Sequence, residues 1–272
     1  MNNLKRNKTI RNMALKRTKA AIKKNYANEE FVLIQAINAY NEVSKSYNLF
    51  FERMNEWFGL YFPEIKFNAV TQLYTFFSAL ESKEKLDEED FYKIINDKAK
   101  ATAMYQKYLN TSGRKINNTE KEMIIMFLNF IKDTEKTAKS IGAYIKEASN
   151  RLMPNTTYLT DEIIAAELLD KAGSLEKLSI MPSSTIQVLG AEKALFKHIK
   201  YGAKPPKYGI LFKVPAVNTE NRDIRGKIAR TYASKIAIAL KADVISKKFI
   251  AEDLKKRINE SIARIKQNGK SR

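Results

Sequence analysis

Cysteine is absent from this sequence of 272 residues, and histidine occurs once, at His198. Without cysteine there can be no disulfide framework, no thiolate metal site and no cysteine nucleophile, and the absence fits a reducing compartment. A single histidine without clustered carboxylates is a poor metal ligand, and it has no evident partner for acid–base catalysis. We therefore predict no metal site and no cofactor.

Motifs of common catalytic sites are also lacking. The sequence has no glycine-rich phosphate loop, no dinucleotide fingerprint and no G-x-S-x-G motif. Its carboxylates lie mainly near lysines in predicted helices, which is the pattern of a solvated helix face. We predict no catalytic residues and a protein that is not an enzyme.

Long apolar runs are missing as well. No stretch approaches the roughly 20 apolar residues that a membrane-spanning helix needs. The basic start of the chain is not followed by the apolar segment of a secretory signal. We expect no membrane association.

Positive charge is concentrated at the two ends of the chain. Residues 1–24 hold nine Lys or Arg and no acid, residues 190–235 hold eleven against three acids, and residues 236–272 hold ten against four. The whole chain carries +19, so residues 25–189 are slightly acidic. A basic surface of this kind attracts polyanions, and nucleic acid is the partner that it favours.

Hydrophobic periodicity predicts an all-α protein with three parts. A basic N-terminal arm spans residues 1–24. Residues 25–155 hold a long helix over 28–61 and an antiparallel coiled-coil hairpin, whose first arm covers 91–108 and whose second arm runs from Ile124 to Leu152 with apolar residues spaced alternately by three and four. Residues 156–272 form a compact helical domain.

Five sequence blocks of the third part occur in a specific order: AGSL at 172–175, MPSSTIQ at 181–187, GAEKALF at 190–196, GAKPPK at 202–207 and RGKIAR at 225–230. In these blocks the sequence resembles the Nop domain of the box C/D ribonucleoprotein core proteins, archaeal and nucleolar. The segment WFGLYFPE at 57–64 resembles the family's step into its coiled-coil domain.

The resemblance implies an RNA-binding scaffold of a box C/D-type guide ribonucleoprotein that supports RNA-guided ribose 2′-O-methylation. Such domains recognise a kink-turn RNA only after a small ribosomal-type kink-turn-binding protein has bound it. Basic residues and one tyrosine are expected at the RNA: Lys193, Lys197, His198, Lys204, Lys207, Tyr208, Arg222, Arg225, Lys227 and Arg230. Four residues of the GAEKALF block are expected to face the partner protein: Gly190, Ala191, Glu192 and Ala194.

The hairpin mediates dimerisation in the family, so we expect a homodimer with a coiled-coil seam at Ile124, Phe127, Ile131, Ile141 and Ile145. Fibrillarin, the ribose methyltransferase, is a further candidate partner. Only the basic arm precedes the first predicted helix, however, so we expect the family's N-terminal fibrillarin-binding domain to be lacking. The expected location is cytoplasmic in an archaeon and nucleolar or nuclear in a eukaryote.

Several positions depart from the family pattern. Tyr208 stands where a histidine is common, and Glu167 and Lys171 stand where Arg and His are expected. Two alternatives therefore stay open. One is a stand-alone divergent Nop protein that binds another structured RNA, and the other is a dimeric basic adaptor protein without RNA.

Overall fold

The structure, a computed structural model, describes residues 10–20, 23, 27–83 and 85–270. Every regular element in these ranges is helical, which confirms the all-α class. Residues 10–20 of the predicted basic arm are helical and exposed, and most of the rest of that arm lies outside the described residues. No helix of the described ranges has the length and apolar content needed to cross a bilayer.

Thirteen helices follow residue 28 in the described chain. They are α1 (Glu29–Phe58), α2 (Val70–Ser82), α3 (Glu88–Ile95), α4 (Lys98–Leu109), α5 (Asn118–Leu152), α6 (Pro154–Leu159), α7 (Glu162–Ala172), α8 (Leu175–Ile180), α9 (Ser183–Val188), α10 (Glu192–Tyr201), α11 (Pro215–Asn218), α12 (Arg222–Lys241) and α13 (Ala251–Lys270). A 3₁₀ turn covers Ile210–Lys213, and a π-helical turn covers Ala242–Ser246.

The chain divides into two compact units. The middle unit is Ala39–Ile141, and the terminal unit combines Met1–Asn38 with Gly142–Arg272. The sequence predicts a boundary after residue 155, whereas the structure assigns the end of α5 to the terminal unit. Within the terminal unit, Arg151 near the end of α5 donates to Glu29 at the start of α1 over 3.1 Å.

Aromatic side chains build the core of the middle unit. Phe58, Phe76, Phe77 and Phe91 are almost fully buried. The rings of Phe58 and Phe76 meet edge to face at 5.4 Å, and those of Phe76 and Phe77 at 5.5 Å. Aromatic pairs in this geometry add to the stabilisation that burial provides. These residues are therefore core and not a platform for nucleic-acid bases.

The prediction of the first arm of the hairpin is wrong in one respect, because residues 91–108 do not form one long helix. α3 ends at Ile95 and is capped by Asn96, which adopts φ 54°, and α4 begins after Asp97, whose side chain accepts from the N–H of Lys100 at 3.2 Å. Asn tolerates the left-handed conformation and Asp is a favoured N-cap, so this dipeptide stops one helix and starts the next. The apolar spacing runs across the break and conceals it.

The second arm, α5, pairs with α1 within the middle unit. Phe50 of α1 contacts Phe127 and Phe130 of α5, with ring centroids 6.0 and 5.3 Å apart. The ring centroids of Trp57 and Phe127 lie 6.4 Å apart, and burial, together with the nearby charge of Glu135 on α5, raises the pKa of Tyr47. Contacts of α1 therefore run in the opposite order along α5, and the two helices are antiparallel.

The predicted seam positions of α5 are largely occupied by the chain itself. Ile124, Ile131 and Ile145 are fully buried, whereas Phe127 and Ile141 are half-buried. The three isoleucines thus pack within one molecule, and a second copy would have to contact other side chains. The homodimer stays a prediction.

A loop between α4 and α5 is fixed by one carboxylate of the middle unit. Glu64 accepts hydrogen bonds from the side chains of Thr111 and Ser112 and from the Ser112 N–H at 2.6–2.8 Å. These bonds lower the pKa of Glu64 to about 2. Gly113 follows, and a Cβ there would lie 1.9 Å from the Tyr61 carbonyl oxygen, so no larger residue fits.

Helix α12 is the centre of the terminal unit and packs against α6, α8, α9, α11 and α13. Ile228, Tyr232 and Ile236 form its buried face, and Ala229 and Ala233 allow close approach of its neighbours. The position of α12 fixes where its cation-rich start reaches the surface.

A buried polar cluster ties the end of α12 to the start of α6. Asp243 is 2% exposed and accepts four hydrogen bonds of 2.7–3.0 Å, two from Asn155 and two from Thr156. Asn155 in turn donates to the Lys248 carbonyl and accepts from the Ile250 N–H. We call Asp243, Asn155 and Thr156 the polar hub.

Candidate nucleic-acid interface

The loop after α10 is held by backbone pairing with the end of α9. The Gly209 N–H donates to the Gln187 carbonyl at 3.0 Å, and the Ile210 N–H donates to the Leu189 carbonyl at 2.8 Å. A Cβ at Gly209 would lie 2.0 Å from the Leu189 oxygen. The glycine is required because the two backbones approach too closely for any side chain.

Gln187 also joins this loop to the start of α12. Its buried amide donates to the Lys207 carbonyl at 2.7 Å and reaches the Gly226 carbonyl at 3.5 Å. A Cβ at Gly226 would lie 3.4 Å from Cβ and Cδ of Lys207, so the lysine stem lies directly over the helix. The structure therefore brings the predicted Lys207 and the predicted start of α12 together.

Tyr208 and Arg225 meet at Phe212. The Tyr208 and Phe212 rings stack at 5.0 Å with 13° between their planes, and the Arg225 guanidinium carbon lies 5.5 Å from the Phe212 centroid. Arg225 Nε also donates to the Glu220 carbonyl at 2.7 Å. Arg225 is half-buried and shares the α12 face of Ile228, so much of its bonding capacity serves the fold.

The remaining predicted cations of α12 point outward. Arg222, Lys227 and Arg230 are exposed, and none forms an ion pair with a described carboxylate. The same holds for Lys204 and Lys207 in the loop. Unpaired cations of this density repel one another unless an anion lies between them.

Helix α10 has no buried side chain at all. It carries the predicted Lys193 and Lys197, and Lys200 extends their stripe at the i, i+4, i+7 spacing of one helix face. Sequence reasoning missed Lys200, although this spacing could have found it. His198 Nδ1 lies 2.5 Å from the Ala203 carbonyl oxygen, and this contact links α10 to the loop.

The predicted partner-facing block lies at the start of α10. Gly190 adopts φ +87°, and its N–H donates to the Glu192 carboxylate at 2.7 Å. Glu192 and Ala194 are exposed, and Ala191 is half-buried. Glu192 therefore shapes the turn into the helix while its side chain remains at the surface.

Glu167 is buried where the family pattern leads us to expect arginine. One carboxylate oxygen lies 2.5 Å from Lys213 Nζ, and the other finds no hydrogen-bond donor among the described atoms. The ammonium group of Lys213 pairs with the Glu167 carboxylate. Its charge is therefore not available to a ligand, whereas that of Lys207 is. Within the described ranges, no three His, Cys, Asp or Glu residues converge as a metal site would require.

Comparison with known proteins shows the family of this chain. A family model described as Nop, snoRNA binding domain, fibrillarin, matches residues 39–264. An uncharacterized NOP5 family protein of Methanocaldococcus jannaschii is 34% identical over 255 residues, which are 92% of this chain and 60% of that protein. Nucleolar protein 58 of Schizosaccharomyces pombe is 32% identical over 219 residues, which are 80% of this chain and 43% of that protein.

A solved structure shares the fold. The crystal structure of a fibrillarin/Nop5p complex aligns with a TM-score of 0.53 at 23% sequence identity, covering 95% of this chain and 78% of that one. This chain spans at most 60% of the length of the two relatives above. The family model covers most of the sequence and confirms the resemblance of the five blocks, so this chain belongs to the Nop family.

Proposed function

We propose that this protein is an RNA-binding scaffold of a box C/D-type guide ribonucleoprotein. It recognises a kink-turn RNA together with a bound kink-turn-binding protein, and it supports RNA-guided ribose 2′-O-methylation. The observation that carries the proposal is the unpaired cationic surface of Lys207, Arg222, Lys227 and Arg230, which lies inside the region matched by the Nop model.

The geometry of this surface supports contact with phosphates more than reading of bases. Gln187 and Gly209 fix the backbone of the loop that carries Lys207 beside the start of α12, so the backbone positions of these cations are set before binding. A preformed array of this kind fits RNA of one shape, because phosphate contacts position the ligand and its bent backbone provides selectivity. Gly190, Ala191, Glu192 and Ala194 are proposed to face the kink-turn-binding protein.

The ordered assembly can be tested by gel shift on a box C/D kink-turn RNA. We expect a shifted complex only when the kink-turn-binding protein is present, and a steep loss of affinity between 50 and 200 mM salt, because bound phosphates release counterions. A straight duplex of equal length is the control RNA. Equal binding without the second protein would contradict the composite surface, and insensitivity to salt would contradict phosphate contact.

Fibrillarin is a proposed further partner. The solved structure with the same fold is a Nop5p protein in complex with fibrillarin. The family model that matches this chain also carries fibrillarin in its description. By their names the eukaryotic relatives are nucleolar, and the location of this protein, cytoplasmic in an archaeon or nucleolar in a eukaryote, remains a proposal.

The proposed homodimer uses an exposed apolar stripe of α5. Met123, Met126 and Phe130 follow one another at i, i+3 and i+7 and are 43%, 68% and 52% exposed. The Phe130 ring stacks on that of the half-buried Phe127 at 6.4 Å. A contiguous apolar stripe on a helix surface is typical of an interface, and this one replaces the buried isoleucines as the proposed contact.

Phe130→Asp is therefore expected to convert a dimer into a monomer, measured by light scattering. The helix should persist because the side chain is half exposed. Asn129→Asp adds the same charge at the neighbouring exposed position and should leave the dimer intact. A dimer of unchanged mass in Phe130→Asp, or a monomeric wild-type protein, would refute this contact.

A further inference from the structure

A second exposed surface lies at the opposite end of α12 from Arg222. It comprises Tyr158, Lys241, Ile245, Lys247, Lys248 and Phe249, and we call it the 241–249 platform. At 1.5 Å per residue, the 20-residue helix separates its two ends by roughly 28 Å. The platform is therefore distinct from the cationic surface around Lys207.

Large apolar side chains are exposed on this platform. Ile245 is 75% exposed, Phe249 54% and Tyr158 50%. The Tyr158 and Phe249 rings meet edge to face, with centroids 5.6 Å apart and an angle of 88° between their planes. The two rings support each other while keeping ring surface open to solvent.

The polar hub holds both aromatic residues in place. Asn155 donates to the Lys248 carbonyl at 2.9 Å and accepts from the Ile250 N–H at 2.6 Å, so one buried side chain fixes the backbone on either side of Phe249. Asn155 also belongs to the first turn of α6, the helix that carries Tyr158. An aromatic residue held outward by a buried network is preorganised for a ligand.

The backbone that follows α12 adopts energetically unfavourable conformations. α12 ends in the π-helical turn Ala242–Ser246, and Lys247 then adopts φ 54°, a left-handed conformation that is unfavourable for a lysine. Such features concentrate at functional sites, where the surrounding structure maintains them. In this protein the polar hub holds the unfavourable backbone segment in place.

Three exposed cations lie in the same stretch of chain as Phe249 or at the end of α12 that leads into it. Lys241, Lys247 and Lys248 are exposed, and none forms an ion pair with a described carboxylate. The carboxylate of Asp243 is nearby in sequence but is buried and saturated by the hub. Unpaired ammonium groups beside open aromatic rings are the composition of sites for single-stranded nucleic acid, where bases stack on the rings and phosphates meet the cations.

We propose that the 241–249 platform binds a single-stranded RNA segment, with bases stacked on Phe249 and Tyr158 and phosphates at Lys241, Lys247 and Lys248. The proposal rests on the proposed function only in that RNA is the ligand. It adds a contact outside the kink-turn, about the length of α12 away from it. The platform thus engages unpaired nucleotides that the Lys207 surface does not touch.

The test measures binding of the 272-residue chain to a fluorescein-labelled ten-nucleotide oligouridylate by fluorescence anisotropy at 50 mM salt. To reduce background binding at the Lys207 surface, the parent chain and all variants carry Lys227→Glu and Arg230→Glu. Phe249→Ala is expected to weaken binding roughly 10-fold through lost stacking. Lys241→Glu with Lys248→Glu is expected to weaken it further and to flatten the salt dependence.

Matched controls are Tyr92→Ala, an exposed aromatic of the middle unit, and Lys107→Glu with Lys136→Glu, which change the net charge equally. Both should bind like their parent. Binding unchanged by Phe249→Ala would overturn the proposal. Equal competition by a polyglutamate decamer would also overturn it, in favour of an acidic protein segment.

A second readout separates this proposal from the proposed function. In the otherwise wild-type chain, Phe249→Ala and the Lys241/Lys248 pair should leave assembly on a minimal kink-turn RNA intact. Loss of kink-turn assembly in those variants would show that the platform is not a separate site. Failure of the wild-type chain to assemble, with oligouridylate binding retained, would count against the proposed function alone.

Discussion

Replacing Asp243 by asparagine is expected to destabilise the terminal unit by on the order of 3 kcal/mol. The carboxylate accepts two bonds from backbone N–H groups and two from side chains, and it is buried. Asparagine has the same size, but an NH₂ group replaces one of the two carboxylate oxygens. That group would face the N–H or O–H donors of Asn155 or Thr156, so buried donors would lose their acceptor. Since whole domains are stable by only about 5–15 kcal/mol, this is a large share.

Urea unfolding followed by far-UV circular dichroism measures this loss. The only tryptophan, Trp57, lies in the middle unit, so its emission reports that unit while dichroism reports both. The matched control is Asp253→Asn on α13, an exposed carboxylate whose ion pair within the described chain is with Arg257, and this change should alter stability by less than about 0.5 kcal/mol. Equal dichroism midpoints for the two variants would show that the hub carries little stability.

Reversing two charges on the outer face of α12, Lys227→Glu with Arg230→Glu, is expected to weaken kink-turn complex assembly by roughly 100-fold at low salt. Each change removes a cation from phosphate and adds a repulsion. The slope of log affinity against log salt should fall by about 2, one for each lost contact. Arg225 is left in place because its bond to Glu220 and its contact with Phe212 belong to the fold.

A gel shift with the preformed complex of RNA and kink-turn-binding protein, repeated at several salt concentrations, gives both the affinity and its salt slope. Lys107→Glu with Lys136→Glu removes the same net charge from exposed sites of the middle unit and controls for long-range electrostatics. Circular dichroism should show unchanged helicity in both double variants. If the two lose affinity alike, the net charge matters and the assignment of this surface is wrong.

Periodicity was sufficient to predict the helices whose apolar faces are long and regular. The all-α class follows from it, as does the burial of Ile124, Ile131 and Ile145 along α5. Spacing alone could not reveal the interruption at Asn96, because the apolar residues on either side stay in phase. Nor could it name the partner of α5, since α1 and the 91–108 segment both offer a suitable face.

At the candidate site, the sequence predicts which side chains are exposed better than what each of them contacts. Exposure of Lys227 and Arg230 agrees with the sequence reading, whereas Arg225 falls in phase with Ile228 and is partly consumed by packing. Gln187 could not be recognised as the residue that joins loop and helix, because its bonds go to backbone carbonyls far along the chain. The platform around Phe249 depends on a π-helical turn, which has no sequence signature comparable to a cap.

The lack of any buried side chain in helix α10 affects the free energy with which a ligand binds to it. A ten-residue helix is below the length at which helices persist alone in water, and here no fully buried side chain adds to its stability. Its stability in the free protein comes from its ends, where Gly202 closes the last turn and Glu192 bonds to Gly190. Part of the intrinsic affinity of any ligand of this helix is spent on ordering it. Substitutions that raise helix propensity at its exposed positions would therefore tighten binding without touching the ligand.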